Sequence, residues 1–218
     1  MTTVFIHGLG QTPAAWEGVL RHMRAAGETP LCANLPALLR GEKALYETLY
    51  QRLAAQLVAL GPEVRLCGLS LGAVLALDYA LRHPGGVEAL ALIAPQYKMP
   101  KLLLKLQSAA FRRLPQRSFA QLGFSREAFL SLTASMSALD FSRDIPGLTC
   151  RTLVLVGERD RSNRKAALGL CSLLPQAEYA QLPGSGHEAN LDAPEALAQR
   201  LDAFFAPEAG TPLGPPEA

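Results

Sequence analysis

Gly68-Leu69-Ser70-Leu71-Gly72 places one hydroxyl between two glycines, each two residues away, after a short apolar run (Val64 to Cys67) and before a helical pattern (Leu71 to His83). A serine hydroxyl is a poor nucleophile until it is held at an exposed turn with a base beside it. A tight strand-to-helix turn does the holding: the serine takes a strained backbone conformation, and the flanking glycines remove the side chains that would clash. The same turn sets the hydroxyl at a helix N-terminus, where free N–H groups and the helix dipole favour a developing oxyanion. A glycine-rich turn with an incidental serine is the plainer reading. The elements on either side, and the partners found elsewhere, weigh against it.

A base and an acid must complete such a site. Of the four histidines, His22 lies within a helical segment and His83 ends another, positions that suit solvation or capping. His7 follows the first apolar run. His187, in Pro183-Gly184-Ser185-Gly186-His187, lies in a glycine-rich loop just past the last apolar run, on the rim that carries Ser70. The orienting acid is expected from another loop on that rim, and Asp160 in Gly157-Glu158-Arg159-Asp160 follows the run Thr152 to Val156. Asp140 and Asp144 precede that run and fall at its other end, Glu158 is the nearest competitor, and the loop after Ile93 has no carboxylate before Glu127.

The elements that must position these groups alternate. Six short apolar runs, Thr3 to Ile6, Leu31 to Asn34, Val64 to Cys67, Ala89 to Ile93, Thr152 to Val156 and Glu178 to Leu182, alternate with helical patterns, the signature of βαβ units and a parallel sheet. Thr12-Pro13 suggests a helix start. Leu45, Leu49, Leu53, Leu57 and Leu60 recur at helical spacing, and Asp192 with Glu195 resembles a capping box before Leu197, Leu201 and Phe204. Residues 96–145 break the alternation with helical stretches alone, so a helical lid over the sheet is expected there. The expected layout is one domain over 1–206 with that lid, followed by a tail, 207–218, whose four prolines and two glycines suit disorder.

Composition bounds the rest. With 218 residues, 49% hydrophobic and 18% charged, the chain suits a sheet buried on both faces and excludes disorder for most of its length. A net charge of +2 gives no reason to expect nucleic acid or stable membrane insertion. Charge is nevertheless segregated: residues 96–139 hold seven basic residues and one acidic one, net +6, leaving −4 for the remainder. Interleaved Leu and Phe make this stretch a basic amphipathic surface suited to an anionic acyl substrate or a phospholipid interface, or equally a solvated cationic roof over an apolar pocket. The cysteines, Cys32, Cys67, Cys150 and Cys171, lack metal-site spacing and suit buried free thiols. The start of the chain does not have the order of a secretory signal and no apolar run spans a bilayer, so a cytoplasmic protein is the default expectation.

From the His7-Gly8 dipeptide through the Ser70 turn and the Asp160 loop to His187, in the order Ser, Asp, His, the sequence resembles the α/β-hydrolase superfamily over nearly its whole length. The resemblance implies an α/β, doubly wound, mostly parallel six-stranded sheet of order 2-1-3-4-5-6 with a short helical lid. It implies Ser70, Asp160 and His187 as catalytic residues, and the backbone N–H groups of Leu9 and Leu71 as an oxyanion hole. His7 and Gly8 would shape the turn beside the substrate pocket, and Trp16 is a candidate for one of its walls, although an aromatic on an amphipathic helix is more often core. The superfamily usually places two further strands before the His-Gly strand, where this chain has only Met1 and Thr2; the exposed edge that results would suit a homodimer as well as a monomer. The implied activity is hydrolysis of a small-molecule carboxylic ester through an acyl-enzyme, with no cofactor and no metal. Thioester, lysophospholipid, peptide and C–C bond hydrolysis use the same triad, and a receptor of this fold that does not turn its ligand over is a further alternative. Epoxide hydrolase and dehalogenase chemistry is disfavoured, because those relatives need an aspartate where Ser70 stands.

Overall fold

The structure, a computed structural model, describes residues 1–24, 30–99, 119 and 124–206. Six strands, β1 (Thr2–Ile6), β2 (Leu31–Ala33), β3 (Val64–Leu69), β4 (Val87–Ile93), β5 (Arg151–Gly157) and β6 (Glu178–Leu182), form one sheet of order β2-β1-β3-β4-β5-β6. Every pairing is parallel. The order agrees with the expectation; β1, β3, β4 and β5 extend by one to two residues where flanking residues continue the ladder, β6 is as expected, and β2 ends at Ala33, one residue short, because Asn34 caps the next helix. The expected tail, 207–218, lies outside the described residues.

Side-chain alternation along the strands explains why the runs are apolar throughout. Val4, Ile6, Leu66, Leu90, Leu92, Val154 and Val156 face one cluster, while Phe5, Cys67, Leu69, Ala91, Ile93, Leu153 and Leu155 face another. A helix layer covers each side, so in β1, β3, β4 and β5 both parities are largely buried, while the edge strands β2 and β6 stay partly exposed. The first cluster takes the apolar stripes of α3 (Tyr46–Val58) and α4 (Leu71–Arg82), with residues of α5 (Arg126–Ser135) and α6 (Arg161–Leu173). The second takes α1 (Glu17–His22) and α8 (Pro194–Phe205), which contributes Leu197, Leu201, Phe204 and Phe205. Two single-turn helices, α2 (Leu35–Leu38) and α7 (Ala189–Asp192), follow β2 and the His187 loop. Buried Tyr46 fastens α3 to its neighbours by donating its hydroxyl to Asp78 of α4 at 2.9 Å and its N–H to Ser135 of α5 at 2.8 Å.

Several local expectations are corrected. Thr12 stays extended and makes no side-chain cap; Pro13–Trp16 forms a 3-10 turn before α1. Ala193, not Asp192, precedes α8, because Pro194 takes the first helical position, and Asp192 turns away to accept from the Gly186 N–H at 2.7 Å. Leu60 lies beyond the end of α3 and is exposed, whereas Leu49, Leu53 and Leu57 are buried. Of the four free cysteines only Cys67 is fully buried. Between β4 and β5 the described residues hold α5, two 3-10 turns and an isolated antiparallel bridge between Lys98 and Asp140. Lys101, Lys105, Arg112, Arg113 and Arg117 of the basic stretch lie outside the described residues. No helix among the described residues is long and apolar enough to cross a membrane.

Candidate active site

From β1 the chain leads to β2 on one flank and from β3 it leads to β4 on the other, so the loops after the neighbouring strands β1 and β3 part at the carboxyl end of the sheet, where open α/β sheets leave a crevice. Ser70 lies at that switch, one residue after β3 and one before α4, with φ 54° and ψ −111°. Positive φ in a residue with a Cβ is strained. Its N–H donates to Ile93 O at 2.9 Å and its carbonyl accepts from the Val74 N–H at 3.0 Å, which hold the turn. The glycines act through close approach: a Cβ on Gly68 would stand 2.3 Å from Gly72 O, and one on Gly72 would stand 2.0 Å from Ile6 O. Both approaches run against main chain that has no freedom to withdraw.

Three expected residues converge from three loops. Ser70 Oγ lies 3.1 Å from His187 Nε2, and His187 Nδ1 lies 2.8 Å from Asp160 Oδ2. The Asp160 side chain is 2% exposed and that of His187 44%, so the acid is buried and the imidazole opens to solvent on the Ser70 side. Since the carboxylate only accepts, Nδ1 donates to it and Nε2 is left to accept from the Ser70 hydroxyl.

Asp160 also caps α6, accepting from the Asn163 N–H at 3.2 Å and the Ser162 hydroxyl at 2.7 Å. The Asn163 amide donates to both carboxylate oxygens, at 2.9 and 2.8 Å, and its own oxygen accepts from Gln96 Nε2 at 2.7 Å. The chain reaches Gln96 from β4 through Ala94, a second non-glycine residue in the left-handed region with φ 49°. Asp160 to Asn163 is the usual spacing of a helix cap, a local signal from which Asn163 could have been found in the sequence; Gln96 left none.

Burial by itself raises the Asp160 carboxyl, but hydrogen bonds from His187, Ser162 and Asn163 outweigh it and hold the group at about 2, below the ordinary 3.8. A carboxylate whose folded value lies below its unfolded one contributes stability above the unfolded value and loses it as pH falls through the folded one. Chemical denaturation is therefore expected to show stability, on the order of 2 kcal/mol from this group, disappearing between about pH 4 and pH 2. Exposed Asp140, bonded to Ser142 and Lys98, is also held at about 2. Comparison with Asp160→Asn isolates the buried group; an unchanged acid-side slope in that variant would refute the assignment.

Glu158, the competitor, accepts instead from the Gly184 N–H at 2.8 Å and braces the His187 loop. Gly157 brings β5 against that loop: a Cβ there would stand 2.0 Å from Gly186 O.

The loop after β1 packs directly on the turn, since a Cβ on Gly8 would stand 2.8 Å from Leu69 Cδ2 and 3.6 Å from Ser70 Cβ. His7 is fully buried. Its Nε2 accepts from the Leu35 N–H at 3.3 Å, which leaves Nδ1 to donate to Gly8 O at 2.8 Å. Burial outweighs that last hydrogen bond and holds His7 below its ordinary 6.5, in keeping with a neutral ring. Gly8 O accepts a second hydrogen bond, from the Gln11 N–H at 3.2 Å. In a trans peptide the N–H points opposite to the carbonyl, so two donors on Gly8 O aim the Leu9 N–H the other way. Leu71 is the first residue of α4, where a helix N–H has no partner within the helix. Trp16 does not line an open pocket: it is fully buried against Phe5, ring centroids 5.1 Å apart, in the cluster under α8. The tilt of the 3-10 turn carries it into the core. A groove of about 420 Å³ runs along the rim beyond this loop, lined by Thr12, Asn34, Pro36, Arg40, Phe124 and Ala128 among others.

No group of three or more His, Cys, Asp or Glu side chains among the described residues is arranged to hold a metal ion.

Residues 3–200 match the model of the alpha/beta hydrolase family. The chain belongs to that family. Solved structures of similar fold include NosK from Streptomyces actuosus, 24% identical with TM-score 0.77 over 94% of this chain and 96% of the other. The enol-lactonase from Burkholderia xenovorans is 17% identical with TM-score 0.74 over 94% and 90%. A thermophilic esterase from Thermogutta terrifontis is 19% identical with TM-score 0.71 over 94% and 89%. At these identities the likeness of this alpha/beta hydrolase to each of them is one of fold. No curated protein matches the chain significantly.

Proposed function

We propose that this alpha/beta hydrolase is a serine esterase that cleaves small-molecule carboxylic esters through an acyl-enzyme. The observation that carries the reading is the continuous hydrogen-bonded path from Ser70 Oγ through His187 to buried Asp160. In the proposed reaction Ser70 Oγ attacks the ester carbonyl while His187 Nε2 takes its proton, and Asp160 steadies the imidazolium that forms. The Leu9 and Leu71 N–H groups donate to the oxyanion of the tetrahedral intermediate. Collapse breaks the bond to the alcohol, which leaves with the proton from His187. Water then attacks the acyl-enzyme with His187 as base again, releasing the acid and restoring Ser70.

The test is labelling with a fluorophosphonate probe, followed by turnover of p-nitrophenyl esters of graded chain length. Labelling and turnover are expected in the wild type, with both lost in Ser70→Ala at unchanged melting temperature. Labelling that persists in Ser70→Ala would overturn the nucleophile assignment. Ser70-dependent labelling without turnover of any ester would point to a receptor of the same fold.

A further inference from the structure

Two buried side-chain amides that the chemistry above does not use join the loop after β1 to the loop that carries His187. Gln11 is 6% exposed and Asn190 1%. Gln11 Nε2 donates to Asn190 Oδ1 at 3.2 Å, and Asn190 Nδ2 donates back to Gln11 Oε1 at 3.1 Å, a closed pair between residues 179 apart in sequence. On one side, Gln11 Oε1 also accepts from the Gly8 N–H at 3.3 Å, and the Gln11 N–H donates to Gly8 O. Gln11 therefore holds both polar groups of Gly8, and through the Gly8–Leu9 peptide it sets the direction of the Leu9 N–H. On the other side, Gln11 Nε2 reaches Glu188 Oε1 at 3.0 Å, one residue past His187, and Asn190 Nδ2 ties to Ala15 O at 3.1 Å.

We propose that Gln11 and Asn190 are positioning residues that hold the Leu9 N–H and the His187 imidazole in register across the site. The proposal rests on the esterase reading above. The physical ground is that a buried polar pair is a poor way to gain stability, since apolar residues of similar volume do as well, while its directional bonds fix one relative placement of two loops. Oxyanion stabilisation and proton transfer occur in the same transition state, so a loop displaced by a fraction of an ångström affects the rate before it affects binding.

The test compares Gln11→Ala, Asn190→Ala and the double variant with wild type, using p-nitrophenyl butyrate turnover, the rate of fluorophosphonate labelling at Ser70, and thermal denaturation. Each single variant is expected to lower kcat about 10- to 100-fold, up to the cost of a misplaced group and below the about 10²- to 10³-fold cost of deleting a transition-state donor, with KM within about threefold. Labelling should slow by a similar factor. The double variant is expected to be no slower than about the worse single, because both substitutions break the same pair. Where Gln11→Ala does not yield folded protein, Gln11→Met keeps the volume and loses the bonds, and the same loss in kcat is expected. A kcat within twofold of wild type in a folded variant overturns the proposal, as does a double variant that loses the product of the two single effects. A wild type that neither labels at Ser70 nor turns over refutes the esterase reading and the proposal with it, an outcome distinct from an active wild type with unaffected variants.

Discussion

Asp160→Asn is expected to leave a folded protein whose kcat for p-nitrophenyl butyrate is lower by about 10³- to 10⁴-fold. Every polar atom facing this side chain is a donor: His187 Nδ1, the Ser162 hydroxyl, and the N–H and side-chain amide of Asn163. A carboxylate accepts from all of them. An amide has one oxygen and one NH₂, so one of its ends must face donors with a donor. With the NH₂ toward His187, the imidazole moves its proton to Nε2 and no longer accepts from Ser70. With the oxygen toward His187, the NH₂ meets Ser162 and the start of α6, and the cap is lost. Stability should fall by the roughly 2 kcal/mol that the ionised carboxylate contributes at neutral pH, small beside the roughly 4 to 5 kcal/mol that the loss of the base takes from catalysis. A folded variant that retains more than a tenth of wild-type kcat would show that His187 does not depend on Asp160.

Gly72→Ala is expected to cost about 3 kcal/mol or more, and to abolish fluorophosphonate labelling in whatever protein folds. The added methyl would lie 2.0 Å from Ile6 O, 2.6 Å from Ile6 C and 2.9 Å from His7 O, all main chain at the end of a central strand. Relief requires α4 to move away from β1, and Ser70 moves with it. Gly147→Ala is the matched control, because nothing lies within 4 Å of a Cβ there, and it should be within about 0.5 kcal/mol of wild type. Urea denaturation of the two variants decides the matter. A Gly72→Ala protein with stability near that of the control and normal labelling would mean that the close packing of the turn is dispensable.

These two substitutions mark different kinds of legibility. The Ser70 motif and the six parallel strands were readable from local pattern, namely apolar runs of strand length alternating with helices, glycines at fixed offsets from the serine, and rim loops that must follow strands, whereas the strand order came from the family resemblance. The same logic placed Asp160 and His187 on one rim, since topology determines which end of a strand a loop leaves from. Where local rules competed, the sequence misled. Asp192 and Glu195 carry the spacing of a capping box, but the chain needs Asp192 on Gly186 more than on a helix that already starts with proline. Trp16, by contrast, takes the core position that an aromatic on an amphipathic helix more often has, and only the packing of α8 shows which side of the sheet it enters.

Sequence by itself determined which groups lie in the loops that follow the strands, because period and turn chemistry are properties of neighbours along the chain. Tertiary structure alone decided how those groups are braced from afar: Gln96 on Asn163, and Gln11 against Asn190. Buried amides satisfy whatever donor or acceptor the fold brings to them, and partners more than sixty or nearly two hundred residues away have no trace in local spacing.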